Sequence, residues 1–169
     1  MAKTLVTGAT GFIGSAVVRE LLPQGHEVRV LVRKKSDTRN IEGLEVERVQ
    51  GDIRDVDSVR AALKGCDRLY HAAALYATWV PDPDIFHQVN VEGTRNVLGA
   101  ALEAGVERVV YTSTAGVIGK TPLSLPNEDT PFNLWEVTGP YIRTKHLAEM
   151  EAFRMCHKEG LPVVAVNPT

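Results

Sequence analysis

The sequence contains few cysteines and no large excess of charge of either sign. Two cysteines occur among 169 residues, and 19 Lys and Arg stand against 21 Asp and Glu, which gives a net charge of −2. Cys66 and Cys156 are too few for a disulfide framework and do not form a pattern of metal ligands, so we expect no metal site. The charge balance gives no general electrostatic basis for binding nucleic acid.

Long hydrophobic runs are also absent from the sequence. No apolar stretch approaches the roughly 20 residues that a membrane-spanning helix needs. The first residues include Lys3, Thr4 and Thr7 and then glycines, which differ from the apolar centre of a secretory signal peptide. We therefore expect a cytoplasmic protein that does not associate with membranes. At 44% hydrophobic residues, a chain of this length favours one domain with a substantial core.

Short β-branched runs alternate along the chain with segments of helical periodicity. The expected strands are residues 4–7, 27–32, 45–50, 67–71, 108–112 and 161–166, and the expected helices are residues 12–22, 55–63, 84–104 and 140–158. For residues 116–137, a stretch rich in proline, we expect an ordered but irregular loop. Strands that are apolar on both faces and separated by helices favour a parallel sheet covered on both sides. We therefore predict an α/β, doubly wound (Rossmann) sheet with strand order 3-2-1-4-5-6.

Three glycines lie where the first predicted strand turns into the first predicted helix. Gly8, Gly11 and Gly14 form the pattern G-x-x-G-x-x-G. Gly8 can adopt a turn conformation that is closed to other residues, Gly11 lets a pyrophosphate approach the backbone, and Gly14 lets the helix pack against the sheet. Since a helix N-terminus offers free N–H groups to an anion, the pattern predicts a dinucleotide phosphate site. A glycine-rich turn without a ligand is the alternative.

Basic residues follow the second predicted strand, where an acidic residue would bind the adenosine ribose 2′-hydroxyl of NAD. This sequence has Arg33, Lys34 and Lys35 at that place. A guanidinium pairs with a phosphate through two hydrogen bonds, so Arg33 favours a 2′-phosphate and hence NADP(H) over NAD(H). For Lys34 and Lys35, a solvated run of charge is the alternative.

Tyr141 and Lys145 are four residues apart on the last predicted helix and therefore share one face. An ammonium beside a phenol stabilises the phenolate, so we expect Lys145 to lower the pKa of Tyr141 from its usual ~10. Such a tyrosine is a usable acid or base near neutral pH. Thr112, Ser113 and Thr114 close the fifth predicted strand at the same edge of the sheet, where a hydroxyl can donate to a carbonyl oxygen.

Six motifs, in order along the chain, resemble one known family. They are TGATGFIG at 7–14, GDIRD at 51–55, HAAA at 71–74, NVEGTRNVL at 90–98, YTSTAG at 111–116 and YIRTK at 141–145. Together they resemble the extended short-chain dehydrogenase/reductases of the NAD-dependent epimerase/dehydratase type. Within that family, WVPDP at 79–83 is most similar to the dihydroflavonol-4-reductase-like and hopanoid-associated sugar epimerase group.

The resemblance implies roles for individual residues. Tyr141 corresponds to the catalytic acid/base, and Lys145 to its partner, which also binds the nicotinamide ribose. Ser113-Thr114-Ala115 matches the S-S-A pattern, which puts Thr114 at the position of the catalytic hydroxyl and keeps Ser113 as the reserve choice. The expected cofactor-binding residues are Gly8, Thr10, Gly11, Phe12, Ile13, Gly14, Arg33, Asp52, Ile53, Ala72, Ala73, Ala74, Asn90, Thr112, Ser113, Tyr141, Lys145 and Pro168.

The same resemblance implies an enzyme, namely an NADP-dependent reductase that transfers hydride to a ketone or aldehyde with Tyr141 as acid/base. A sugar epimerase that passes through a transient keto intermediate is one alternative, and a non-catalytic NADP(H)-sensing module is another. The expected partners are a small carbonyl or sugar substrate and a second copy of the chain, which would pair through the helices at 84–104 and 140–158. Residues 1–169 would form the NADP-binding domain, and the family's C-terminal substrate domain is absent from this chain.

Overall fold

A parallel β-sheet forms the centre of the computed structural model, which describes residues 2–122 and 125–169. Its strands are β1 (Lys3–Thr7), β2 (Glu27–Val32), β3 (Glu47–Gln50), β4 (Arg68–His71), β5 (Arg108–Thr112) and β6 (Val163–Val166). The strand order is β3-β2-β1-β4-β5-β6, and every neighbouring pair is parallel. The predicted doubly wound sheet and its strand order are confirmed.

The helices lie between the strands, as the alternating pattern predicts. They are α1 (Phe12–Leu21), α2 (Val56–Leu63), α3 (Asp84–Phe86), a π-helical segment (His87–Glu92), α4 (Gly93–Glu103) and α5 (Pro140–Glu159). Asp55 caps α2 by accepting a hydrogen bond from the Asp57 N–H at 3.1 Å. Gly160 ends α5 in a left-handed conformation. The helix expected over 84–104 has the predicted extent, but its middle is π-helical.

Two apolar clusters fill the space between the sheet and its helices. One lies beneath α1 and includes Val6, Val18, Val28, Val30 and Ile41. The other lies on the opposite face, beneath α2, α4 and α5, and includes Leu5, Leu63, Leu69, Leu98, Tyr111 and Met155. The sheet therefore carries helices on both faces. Within the part of the chain that the structure describes, no helix is long and apolar enough to span a bilayer.

The loop expected over residues 116–137 begins within a 3₁₀ turn at Ala115–Val117, and its other described residues, 118–122 and 125–137, are irregular but held by specific contacts, while residues 123–124 lie outside the described residues. Asn133 accepts a hydrogen bond from the Lys120 N–H at 2.9 Å and donates one to the Lys120 carbonyl at 2.8 Å. Phe132 stacks on the ring of His146 in α5 with 4.4 Å between the ring centroids, and Trp135 meets the same ring edge-on at 5.3 Å. These contacts fasten the loop to α5, close to the residues that begin that helix.

The turn between β1 and α1 depends on two glycines at which backbone meets backbone. Gly8 has a φ of +73°, and a Cβ there would lie 2.6 Å from the backbone nitrogen of Ala73. A Cβ on Gly14 would overlap the carbonyl oxygen of Gly8. The first turn of α1 therefore sits directly on the end of β1, as the glycine pattern predicts.

Gly14→Ala should lower the free energy of unfolding by about 1–3 kcal/mol, because the added Cβ meets backbone that cannot move aside. Gly99→Ala is the matched control. Gly99 lies inside α4 with nothing within 4 Å of an added Cβ, so helix propensity should raise stability there by about 0.5–1 kcal/mol. Urea unfolding followed by circular dichroism measures both variants. A Gly14→Ala chain as stable as the wild type would contradict the close approach.

Candidate functional site

A cleft of about 540 Å³ opens at the carboxyl ends of β1, β2, β3 and β4. In parallel α/β sheets, ligands bind at this edge, and the volume lies in the range of small-molecule sites. The predicted cofactor-binding residues that line the cleft are Gly8, Thr10, Gly11, Arg33, Asp52, Ile53, Ala72, Ala73 and Ala74. The fold therefore brings together residues from four of the predicted motif regions.

The base of the cleft is the glycine turn that leads into α1. Gly11 precedes the helix, and the side chain of Phe12 in its first turn is 90% exposed. Phe12 and Ile13, which were expected to bind the cofactor, do not line the cleft; they begin α1 beside it, and the first N–H groups of a helix have no partner within it. Gly14 lies under the cleft, where the absence of a side chain lets α1 pack against the carbonyl of Gly8.

Charged residues gather at the outer end of the cleft, where β2 and β3 end. Arg54 donates to Asp52 at 2.8 Å and holds the pKa of that carboxyl below its usual range. Arg39 likewise lowers the pKa of Asp37 to about 2 through hydrogen bonds to its carboxylate. Arg33 is exposed and forms no ion pair with any residue that the structure describes. Its positive charge is therefore available to a ligand.

Sequence reasoning did not select several residues that line this end of the cleft. They are Lys35, Ser36, Asp37 and Arg54. Lys35 belongs to the basic run after the second strand, for which a solvated run of charge is the alternative, and Arg54 lies inside the GDIRD motif two residues after Asp52. The loop that follows the second strand of such a sheet was the signal that could have found them, because it borders the same crevice.

Asn90 lies in the π-helical segment and connects the cleft to α5. It is buried, and its Oδ1 accepts from the Leu75 N–H at 2.7 Å. Its Nδ2 donates to the Leu75 carbonyl at 3.2 Å and to the Thr144 hydroxyl at 3.0 Å. Leu75 lines the cleft directly after Ala72–Ala74. Asn90 therefore fixes the backbone of this wall instead of lining the cleft itself.

Tyr141 and Lys145 begin α5 at the same edge of the sheet. Tyr141 is partly buried, and its ring meets that of Tyr76 edge-on at 4.9 Å. Lys145 is 2% exposed and donates to the Tyr111 hydroxyl at 2.9 Å and to the Thr112 carbonyl at 2.6 Å. Burial lowers the pKa of Lys145 to about 7, although the nearby Glu149 opposes that shift.

The expectation that Lys145 lowers the pKa of Tyr141 is wrong for this arrangement. Burial, with a smaller contribution from Tyr76, raises the pKa of Tyr141 from its ordinary value. The helical spacing does put both residues at the start of α5, but the lysine side chain reaches across to β5 instead of to the neighbouring phenol. Its ammonium therefore binds to β5 and does not stabilise the phenolate of Tyr141.

The hydroxyl residues after β5 have different surroundings. Thr114 Oγ1 accepts from the Gly116 N–H at 3.2 Å, which leaves its hydroxyl proton to be donated. Ser113 Oγ is buried and has no hydrogen-bond partner among the described residues. The carbonyl of Pro168 accepts from the Ala115 N–H at 2.9 Å, and Asn167 Nδ2 donates to the Thr114 carbonyl at 3.2 Å. The end of β6 therefore holds this turn in place.

His71 ends β4 behind the site and was not selected from the sequence as a functional residue. It is buried, with Nδ1 2.6 Å from the Thr7 hydroxyl and Nε2 3.0 Å from the Thr94 hydroxyl. Burial and the charge of Lys145 lower the pKa of His71 to about 3. The ring is therefore neutral at ordinary pH, and its hydrogen bonds tie β1 to α4.

Comparisons with known proteins agree with this geometry. The sequence model of the NAD dependent epimerase/dehydratase family matches residues 4–169. The chain is 44% identical over 169 residues to sterol demethylase protein B of Methylococcus capsulatus, which covers 98% of this chain and 50% of that protein. It is 38% identical over 178 residues to cinnamoyl-CoA reductase 1 of Oryza sativa subsp. japonica, covering 97% of this chain and 52% of that protein.

A solved structure gives the same result. The UDP-glucose 4-epimerase of Thermus thermophilus, in complex with NAD, superimposes with a TM-score of 0.84 at 30% identity, covering 98% of this chain and 54% of that one. The chain thus spans about half the length of the relatives that it matches. Its fold, the motifs along its length and the match over residues 4–169 agree: the chain belongs to the NAD-dependent epimerase/dehydratase family, the extended short-chain dehydrogenase/reductases.

Proposed function

We propose that residues 1–169 are the NADP(H)-binding domain of a reductase that reduces a ketone or aldehyde, with Tyr141 as its acid/base. The observation that carries this proposal is the joining of two sites at one edge of the sheet. A cleft with a bare glycine backbone lies over β1, and Asn90 links its wall at Leu75 to Thr144, between Tyr141 and Lys145.

The residues present fit a nicotinamide dinucleotide. Gly8 and Gly11 leave the backbone open beside the N-terminus of α1, where a diphosphate is favoured by the helix dipole and by free N–H groups. Ser113 offers a buried hydroxyl that lacks a partner among the described residues. When bound, the nicotinamide supplies or accepts the hydride of the reaction.

Arg33 supports NADP(H) as the form that binds. Asp52 pairs with Arg54 and Asp37 with Arg39, whereas Arg33 and Lys35 form no ion pair with the described residues, although the charge of Arg33 also acts on Asp52 from a distance. An excess of positive charge at this end favours a phosphate over a hydroxyl. The Thermus epimerase binds NAD, so the two forms must be compared directly.

The remaining chemistry falls to residues of this chain. Tyr141 would give its phenolic proton to the carbonyl oxygen as hydride reaches the carbonyl carbon, and would take the proton back in the reverse direction. Thr114 would donate its hydroxyl proton in a hydrogen bond to the same oxygen. Lys145 would hold the nicotinamide ribose with the N–H group that its contacts to β5 leave free.

A sugar epimerase is the second candidate, because a UDP-glucose 4-epimerase shares this fold at 30% identity. It would use the same residues twice, first to oxidise a sugar hydroxyl and then to return hydride to the other face of the keto sugar. The non-catalytic, NADP(H)-sensing module has less support, because such a module has no use for Tyr141 beside a buried Lys145.

Arg33→Ala should weaken NADPH binding about 10–100-fold and leave NADH binding nearly unchanged, because only NADPH has the 2′-phosphate that the guanidinium would pair with. Fluorescence titrations with NADPH and, separately, with NADH measure the two affinities. Lys34→Ala is the matched control, since Lys34 is exposed but does not line the cleft. If the wild-type chain binds NADH as tightly as NADPH, the preference for NADP(H) is wrong.

Tyr141→Phe should reduce turnover at least about 100-fold while NADPH affinity stays within about threefold, because the change removes the proton donor and little else. Oxidation of NADPH is followed at 340 nm with a panel of ketones and aldehydes, and epimerisation of UDP-sugars is followed by NMR. Equal and measurable turnover by wild type and variant would refute the mechanism. Epimerisation without net NADPH oxidation would favour the second candidate.

A further inference from the structure

The ammonium of Lys145 binds two groups of β5, and the resemblance to the family gives neither of them as a partner of this lysine. Its Nζ donates to the Tyr111 hydroxyl at 2.9 Å and to the Thr112 carbonyl at 2.6 Å. The same nitrogen lies 4.4 Å from the centroid of the Tyr111 ring. Lys145 is therefore bound to two consecutive residues of one strand, one through its side chain and one through its backbone.

An ammonium has three N–H donors, and two of them are used in these contacts. One acceptor is a backbone carbonyl whose position β5 fixes, and the other is the hydroxyl of a tyrosine with no exposed surface. Two fixed acceptors determine the direction of the third N–H. Without Tyr111, a lysine on four rotatable bonds could turn about the single remaining contact.

The environment of Tyr111 keeps it in one position and in one protonation state. Its ring packs in the core beneath α5 and lies 5.8 Å from the ring of His71. Burial raises the pKa of Tyr111 far above its ordinary value, with Glu149 and Tyr141 adding to the shift. The hydroxyl is therefore a neutral and permanent acceptor for the ammonium.

Several other titratable groups lie around Lys145. Tyr141 and Glu149 belong to its own helix, His71 belongs to β4, and Tyr111 belongs to β5. His71 is neutral and Glu149 favours the charged lysine. Burial disfavours the charged form of Lys145. The hydroxyl of Tyr111 opposes that effect, because it accepts a hydrogen bond from the ammonium.

We propose that Tyr111 is a positioning residue for Lys145: its hydroxyl, with the Thr112 carbonyl, takes two N–H groups of the ammonium and directs the third toward a bound nicotinamide ribose. The inference rests on the proposed function, in which Lys145 binds that ribose. The contact between Tyr111 and Lys145 can nevertheless be tested in the protein without any cofactor.

Tyr111→Phe should lower the titration midpoint of Lys145 by about one pH unit, because a hydrogen bond to the charged form is lost. The midpoint is read from the NMR shift of the Lys145 side-chain nitrogen in a chain labelled with ¹⁵N-lysine, assigned with a Lys145→Met variant. Tyr70→Phe is the matched control, since Tyr70 is a partly buried strand tyrosine whose hydroxyl bonds to none of the described residues. An unchanged midpoint in Tyr111→Phe would overturn the proposal.

The link to the cofactor has its own readout. NADPH affinity should fall about 3–10-fold in Tyr111→Phe and stay the same in Tyr70→Phe. A shifted Lys145 midpoint with unaltered NADPH affinity would overturn the positioning role. If even the wild-type chain fails to bind NADPH, the proposed function is wrong, and the Lys145 midpoint still decides whether Tyr111 holds the ammonium.

A double-mutant cycle decides the matter if Tyr111→Phe folds poorly. Tyr111→Phe, Lys145→Met and the double variant are compared by urea unfolding. Loss of the Tyr111 hydroxyl should destabilise the wild-type background more than the Lys145→Met background, because its partner is absent in the latter. Equal losses in both backgrounds would mean that the hydroxyl does not serve Lys145, and the proposal would fail.

Discussion

The contact between the first turn of α1 and the carbonyl of Gly8 is the constraint on which the cleft depends. No side chain fits between them at Gly14, and none fits between Gly8 and the backbone of Ala73. β1, α1 and the end of β4 are therefore locked together as backbone against backbone. The N-terminus of α1 consequently has a fixed position beside the cleft, and a fixed helix N-terminus favours binding of a diphosphate.

A second layer of order lies beneath the residues that would do the chemistry. Three buried polar side chains there join different elements: His71 joins Thr7 to Thr94, Asn90 joins Leu75 to Thr144, and Lys145 joins α5 to β5. Each pair satisfies groups that would be costly to bury alone. These hydrogen bonds therefore connect β1, α4, α5 and β5 at the edge of the hydrophobic core, beneath Tyr141 and Thr114.

Local patterns predicted most of the fold, because the determinants of each element are near neighbours in sequence. The bounds of β2 and β5 are those expected, and Asp55 caps α2 as its position suggested. The cleft residues followed from the glycine turn and the strand ends. The partner of Lys145 did not, since Tyr111 lies 34 residues away and helical spacing fixes only a face, not where a long side chain reaches. The π-helical turn was not predicted either, because it accompanies contacts of Asn90 with residues that are distant in sequence.

The π-helical segment has a consequence for how this protein can vary. A π-helical turn contains one residue more than an α-helical turn of the same helix. Asn90 lies in that wider turn, where it reaches both Leu75 and Thr144. Deleting one residue from His87–Glu92 would restore a regular α-helix and remove the wider turn from which Asn90 reaches both partners. This stretch therefore tolerates exchange of exposed side chains such as Gln88 far better than any change in its length.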